Sequence, residues 1–85
     1  MKDEYWVYVL FSEKYNKIYI GYTSDLENRI ISHNELATKG WTIKFRPWKL
    51  IYSEYFNDKL LAMKREKELK TYQGRCFIRK LIELN

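Results

Sequence analysis

A small α/β sandwich, with a three-stranded, mainly antiparallel sheet flanked by three helices, is what the sequence predicts over one domain spanning residues 1–85. Three observations predict it. Residues 5–11 are aromatic and β-branched with no Gly or Pro, and read as a strand. A second apolar run, residues 18–22, follows after a short polar break. Beyond it, apolar residues at helical spacing return after Ser24, after Asp58 and after Gly74, with one more strand-like run between the first two.

Two strands joined by so short a loop are antiparallel neighbours, because a parallel return needs a long crossover. Pairing Phe11 with Asn16 makes residues 12–15 the loop and sets Tyr8 directly opposite Tyr19. Directly opposed residues share a sheet face, with Cβ atoms about 5 Å apart. Gly21 lies on that face two residues further on and leaves a gap without a side chain.

The first helix is expected to start at Ser24, with Glu27 three residues later completing a capping box. Leu26 and Ile30 define its inward stripe, and Arg29 and His33, also four apart, stand beside it. A lone strand Tyr or helix Arg is ordinarily structural or solvated. Here two phenols, a guanidinium and an imidazole point into one concavity.

Residues 34–46 lack a clean period and read as a loop. Lys39, Lys44 and Arg46 interleave there with Trp41 and Phe45, as suits a nucleic-acid backbone and its bases, and Thr42 is a further phosphate contact. The plainer reading is that the two rings cover the core while the lysines are solvated. Pro47 opens a third strand over residues 48–56, with Trp48, Leu50, Tyr52 and Phe56 on one face, interrupted by Glu54. Asn57 or Asp58 caps the next helix, which runs to about Lys70. Its stripe of Ala62, Glu66 and Leu69 includes a carboxylate, and a packed carboxylate needs a partner. Arg29 or Arg65 could supply it, with Lys64, Lys67 and Lys70 facing solvent; so could a divalent cation. Gln73 and Gly74 break the chain before a closing helix with Phe77, Ile78, Leu81 and Ile82 inward, where Cys76 reads as a small packing residue.

Composition narrows the class. An apolar share of 46% argues against disorder, and a net charge of +5 favours a polyanionic partner. One cysteine permits no internal disulfide, and with one histidine it is too little for structural zinc. No apolar run approaches a membrane span and no signal peptide is visible, so a soluble cytoplasmic protein is expected.

At these residues the chain resembles the GIY-YIG nucleases, in particular their small single-domain group. Tyr19-Ile20-Gly21 matches the second half of the name motif, and Trp6-Val7-Tyr8 stands where the first half belongs, with Trp6 for Gly and Val7 for Ile. Arg29 and His33 fall where the family carries its Arg and its His or Tyr. Tyr22 stands where some members carry Lys. The runs A-M-K-R-E-K-E-L-K and R-P-W-K-L-I-Y-S-E-Y-F are similar to that group as well, and place Glu66 at its metal-binding position.

The resemblance implies a metal-dependent endonuclease acting on nucleic acid, taken to be DNA, in repair or structure-directed processing. One of Tyr8 and Tyr19 would be the base and the other would position it. Arg29 would stabilise phosphate charge, His33 would orient water or phosphate, Glu66 would hold one Mg²⁺ or Mn²⁺, and Gly21 would let the scissile phosphate approach. A monomer drawing specificity from a partner protein is expected. The rival is a non-catalytic nucleic-acid-binding or protein-interaction module on the same fold.

Overall fold

The residue pattern of β1 (Tyr5–Ser12) suits the middle of a sheet, and that is where it lies: between β2 (Lys17–Thr23) and β3 (Lys49–Phe56), antiparallel to both. The computed structural model describes residues 3–84. A central strand has no face for water, and Val7, Tyr8, Val9 and Leu10 are each 1% exposed or less. α2 (Lys59–Leu69) and α3 (Tyr72–Glu83) cover the Val7 and Val9 face through Ala62, Leu69 and Ile78. α1 (Leu26–Ile31) covers the other face, where Leu26 and Ile30 join Trp48 and Phe45 around Tyr8 and Leu10. Each fully buried aliphatic side chain contributes about 1.5–3 kcal/mol. The expected three-stranded antiparallel sheet with three helices is therefore the fold observed.

The hairpin register differs from expectation by two residues. Tyr8 faces Gly21 and Leu10 faces Tyr19. The loop is residues 13–16, and Asn16 closes it at φ 53°, a left-handed conformation that Asn tolerates. A slip of two leaves face parity unchanged, so both phenols stay on one side.

β3 starts at Lys49, one residue later than expected. Val9 pairs with Tyr52 and Leu10 with Leu50, so Ile51 is the extra residue of a bulge. Leu50 and Tyr52, expected on one face, thus lie on opposite faces, while Ile51 and Tyr52 both reach the Val7 side.

Helix ends also move. Asp25, not Ser24, caps α1, accepting from the Asn28 backbone N–H at 3.2 Å and from its side-chain amide at 2.6 Å. Thr23 Oγ1 supports the cap by accepting from the Asp25 N–H at 3.0 Å. Asp58, one of the two residues expected, caps α2.

Gln73 and Gly74 do not break the chain: α3 already begins at Tyr72, capped by Thr71. A Cβ on Gly74 would overlap the Glu68 carbonyl and the Leu69 backbone, so glycine there lets α3 turn closely against the end of α2. Cys76 is exposed and does not pack inward. Among the described residues, no helix is long and apolar enough to cross a membrane.

Candidate active site

α1 does not continue as an α-helix to His33. It widens into a π-helical turn, Ser32–Leu36, which carries His33 inward to 8% exposure. Arg46 holds that turn from the far side of the loop. Its Nε donates to the His33 carbonyl at 2.6 Å, and its Nη2 donates to the carbonyls of Ala37 at 2.8 Å and Ser32 at 3.3 Å. Expected as a phosphate contact, Arg46 instead spends its donors on carbonyls at the end of this helix, adding to the bond that Ser32 already accepts from the Ala37 N–H at 2.9 Å.

Thr42 is likewise internal. It is 8% exposed, its Oγ1 lies 3.2 Å from His33 Nδ1, and its carbonyl accepts from Trp48 Nε1 at 2.7 Å. A side chain so enclosed orients the imidazole and does not meet a phosphate in solvent. It sits in a 3₁₀ turn, Trp41–Phe45, within the segment expected to be irregular.

On the other side of the imidazole, Nε2 lies 3.0 Å from the Tyr8 hydroxyl. The row Thr42–His33–Tyr8 can run in two directions. With the proton on Nδ1, Tyr8 donates to Nε2 and Nδ1 donates to Thr42; with the proton on Nε2, both bonds reverse. The two tautomers differ in which ring nitrogen carries the proton, and each hydroxyl keeps its own.

Gly21 makes room for this arrangement. A Cβ there would stand 2.7 Å from the Tyr8 hydroxyl oxygen. The gap assigned to an approaching phosphate is therefore filled by the Tyr8 phenol, which reaches across β2. Tyr19 stacks against it, with ring centroids 6.1 Å apart and planes 16° from parallel, and lies 4.6 Å from the His33 ring. Tyr19 is half-buried, whereas Tyr8 is 1% exposed.

Burial pushes the Tyr8 phenol well above the ordinary tyrosine range, Tyr19 and Glu66 push it further, and only Arg29 opposes them. His33 is held below the usual histidine range, first by burial and then by the charges of Arg29 and Arg46. Both groups are therefore neutral near neutral pH.

Arg29 is exposed at the rim and Glu66 stands partly buried on α2; the charges of both reach Tyr8. Glu66 does not pair with Arg29 or Arg65. Arg65 donates to Glu54 at 2.6 Å, which also explains the carboxylate interrupting the third strand. The partner of Glu66 is Lys70, with Nζ 3.4 Å from Oε1, and Lys70 is exposed to solvent as expected. The i, i+4 spacing of Glu66 and Lys70 was the available signal for this pair.

Among the described residues, no group of three or more His, Cys, Asp or Glu could hold a metal. A single carboxylate is still a fitting donor for a hydrated divalent cation that also takes phosphate oxygens. Glu66, 16% exposed and among the described residues paired through one oxygen to the Lys70 ammonium, has oxygen capacity left for such a cation. Tyr8, Tyr19 and His33 are thus brought into one cluster, with Arg29 and Glu66 beside it. Lys39 and Lys44 lie exposed on the flanking loop, outside the cluster.

A hairpin carrying two phenols, an imidazole and arginine on the following helix, and a carboxylate from the opposite layer define a class. The model of the GIY-YIG catalytic domain matches residues 4–79, and the chain belongs to the GIY-YIG family. Domains of this family are typically nucleases and generally use a divalent metal.

The chain is 40% identical over 70 residues to a UPF0213 protein of Staphylococcus saprophyticus, covering 82% of this chain and 84% of that protein. It is 41% identical over 69 residues to one of Staphylococcus haemolyticus, covering 81% and 83%. The solution NMR structure of a UPF0213 protein from Bacillus halodurans is similar in fold, with a TM-score of 0.53 and 27% identity over 96% of this chain and 85% of that one.

Proposed function

We propose that this chain is a divalent-metal-dependent endonuclease that hydrolyses phosphodiester bonds in DNA, in repair or structure-directed processing. It acts in the cytoplasm as a monomer and draws specificity from a partner protein. The observation that carries this reading is the Tyr8–His33 hydrogen bond at 3.0 Å, formed under the stacked Tyr19 ring and within reach of the Arg29 and Glu66 charges.

Two phenols in different environments divide the work. Tyr8 is enclosed, hydrogen-bonded and held neutral, which suits a proton donor that fixes its neighbours. Tyr19 retains contact with solvent and is the phenol a substrate water can reach, so it is assigned as the base. His33, kept neutral, orients Tyr8 and offers a route for protons towards Thr42.

Arg29 at the rim meets the non-bridging phosphate oxygens and stabilises their growing charge. Glu66 would hold one Mg²⁺ or Mn²⁺, which supplies Lewis-acid stabilisation of the leaving oxygen when bound. Lys39 and Lys44 contribute flanking phosphate attraction that weakens with salt.

The test is cleavage of nicked, branched, single-stranded and duplex DNA with Mn²⁺ or EDTA. Wild type should cleave only with the cation, and Glu66→Ala and Arg29→Ala, purified identically, should not cleave. Tyr19→Phe should lose about 10²–10⁴-fold in rate while keeping its DNA affinity. Glu66→Ala cleaving at the wild-type rate would remove the metal assignment. DNA binding without any cation-dependent cleavage would identify a binding module instead.

A further inference from the structure

Beside Tyr19 the free edge of β2 is crossed by a groove of about 490 Å³, lined by Lys17, Tyr19, Trp41, Lys70, Arg75 and Arg79 among others. Four of its lining residues are cations, and no carboxylate lines it among the described residues. The two arginines are anchored without being neutralised. Arg79 Nη1 donates to Asn16 Oδ1 at 2.6 Å, and Arg75 Nε donates to the Lys70 carbonyl at 3.2 Å. Both acceptors are uncharged. Among the described residues Lys70 is the groove cation with a carboxylate partner, Glu66, and so links the groove to the candidate metal ligand.

The other wall is aromatic. From Tyr19 a row of rings runs through Trp48 at 6.5 Å, Trp41 at 5.8 Å, Phe45 at 4.6 Å and Tyr15 at 5.5 Å, each distance measured between neighbouring centroids. Trp41, which lines the groove with Tyr19, is 48% exposed, whereas Tyr15 ends the row outside the groove with Lys14 Nζ 5.4 Å from its centroid. Lys17 Nζ stands 5.6 Å from the Phe45 centroid and keeps a cation beside the row.

We propose that this groove binds a single-stranded nucleic-acid segment continuing from the scissile phosphate. Arg75, Arg79 and Lys17 track its backbone and Trp41 stacks one unpaired base. The proposal rests on nucleic acid being the substrate of the Tyr8–Tyr19 site, and it names the substrate form. Positive grooves with open aromatic rings bind single strands without sequence preference, because every base has a π-face. Paired bases in a duplex cannot present that face to Trp41. Lys17, on an edge strand, also discourages pairing with another strand and leaves the edge to a polyanion.

Equilibrium anisotropy with labelled dT12 and rU12 single strands and a blunt 12-base-pair duplex, all in EDTA, tests the groove apart from cleavage. Either single strand should bind wild type more tightly than the duplex does. Trp41→Ala should weaken single-strand binding by about 5–100-fold and change duplex binding less than about twofold. The triple variant Lys17→Gln, Arg75→Gln, Arg79→Gln should lower the slope of log affinity against log salt by about 2.

Arg79 also anchors Asn16, so Lys17→Gln with Arg75→Gln alone, expected to lose about 1.4 in slope, keeps the test valid if the triple variant unfolds. Wild-type single-strand affinity and slope in the folded variants would overturn the proposal, whatever the cleavage assay gives. Conversely, a protein that binds single strands through these residues but never cleaves would leave the groove standing and sink the nuclease reading.

Discussion

Gly21→Ala tests the central packing claim because two opposing effects make predictions of opposite sign. Replacing a strand glycine by alanine ordinarily stabilises by about 0.5–1 kcal/mol, since less backbone entropy is lost on folding. Gly21 is not at positive φ, so backbone conformation raises no objection to alanine. The added Cβ, however, would stand 2.7 Å from the Tyr8 hydroxyl oxygen, 2.9 Å from Cζ and 3.2 Å from Cε1, against about 3.5–4.0 Å for an ordinary carbon contact.

Tyr8 is 1% exposed between Tyr19 and His33, so its ring moves only by giving up the 3.0 Å hydrogen bond. Overpacking of this kind costs about 1–3 kcal/mol. The net expectation is a destabilisation of up to about 2.5 kcal/mol, read as a lower urea midpoint at unchanged slope. Tyr8→Phe deletes the nearest atom, so Gly21→Ala should cost less by about 0.5–1 kcal/mol in that background. A stabilised Gly21→Ala, or strict additivity with Tyr8→Phe, would refute the claim that glycine is there to admit the phenol.

The same geometry sets further expectations. Arg46→Ala should destabilise by about 1.5–3 kcal/mol, because it removes charged donors from three helix-end carbonyls, and should leave single-strand affinity nearly unchanged; lost affinity without lost stability would return Arg46 to phosphate binding. His33, depressed in the folded state from 6.5, binds fewer protons there than when unfolded. Its contribution to stability is therefore complete above that value and declines as pH falls below it, so urea midpoints of wild type should drop more than those of His33→Asn between about pH 7.5 and 5.5. Tyr8, raised above 10.0, contributes in the opposite sense: stability falls as pH climbs past that value. Its phenol should be missing from the alkaline absorbance titration of the folded protein, which Tyr8→Phe would leave unaltered until unfolding.

How much of this was legible in the sequence depends on how far each feature reaches along the chain. The aromatic and β-branched run over residues 5–11 specified a strand, and a period of two placed Tyr8 and Tyr19 together even though the pairing was misjudged by two residues. The register itself turned on Asn16 adopting φ 53° as the last loop residue, a position Asn tolerates but which the pairing of Asn16 with Phe11 had placed in the strand. Asp25 displaced Ser24 as the cap because Thr23 and Asn28 both bond to it, a local competition between near-equivalent caps. The bulge at Ile51 was hidden because the added residue shifts face parity partway along β3.

The site's least legible feature is the one on which its chemistry turns. A helical period of 3.6 correctly put Arg29 and His33 near the hairpin, yet it gives no reason for the helix to widen at Ser32. That reason lies in Arg46, ten or more residues along, whose guanidinium takes the carbonyls of Ser32 and His33 and leaves the imidazole free to enter between Tyr8 and Thr42. Charge pattern alone assigned Arg46 and Thr42 to a phosphate surface, because sequence shows a basic, hydroxyl-bearing loop and not which donors are already spent. Once those donors are accounted for, the basic loop loses its claim as the main binding surface. The cations without a carboxylate partner among the described residues that remain beside Tyr19 are Lys17, Arg75 and Arg79, and they come from the start of the second hairpin strand and from a helix the sequence pattern had assigned to core closure.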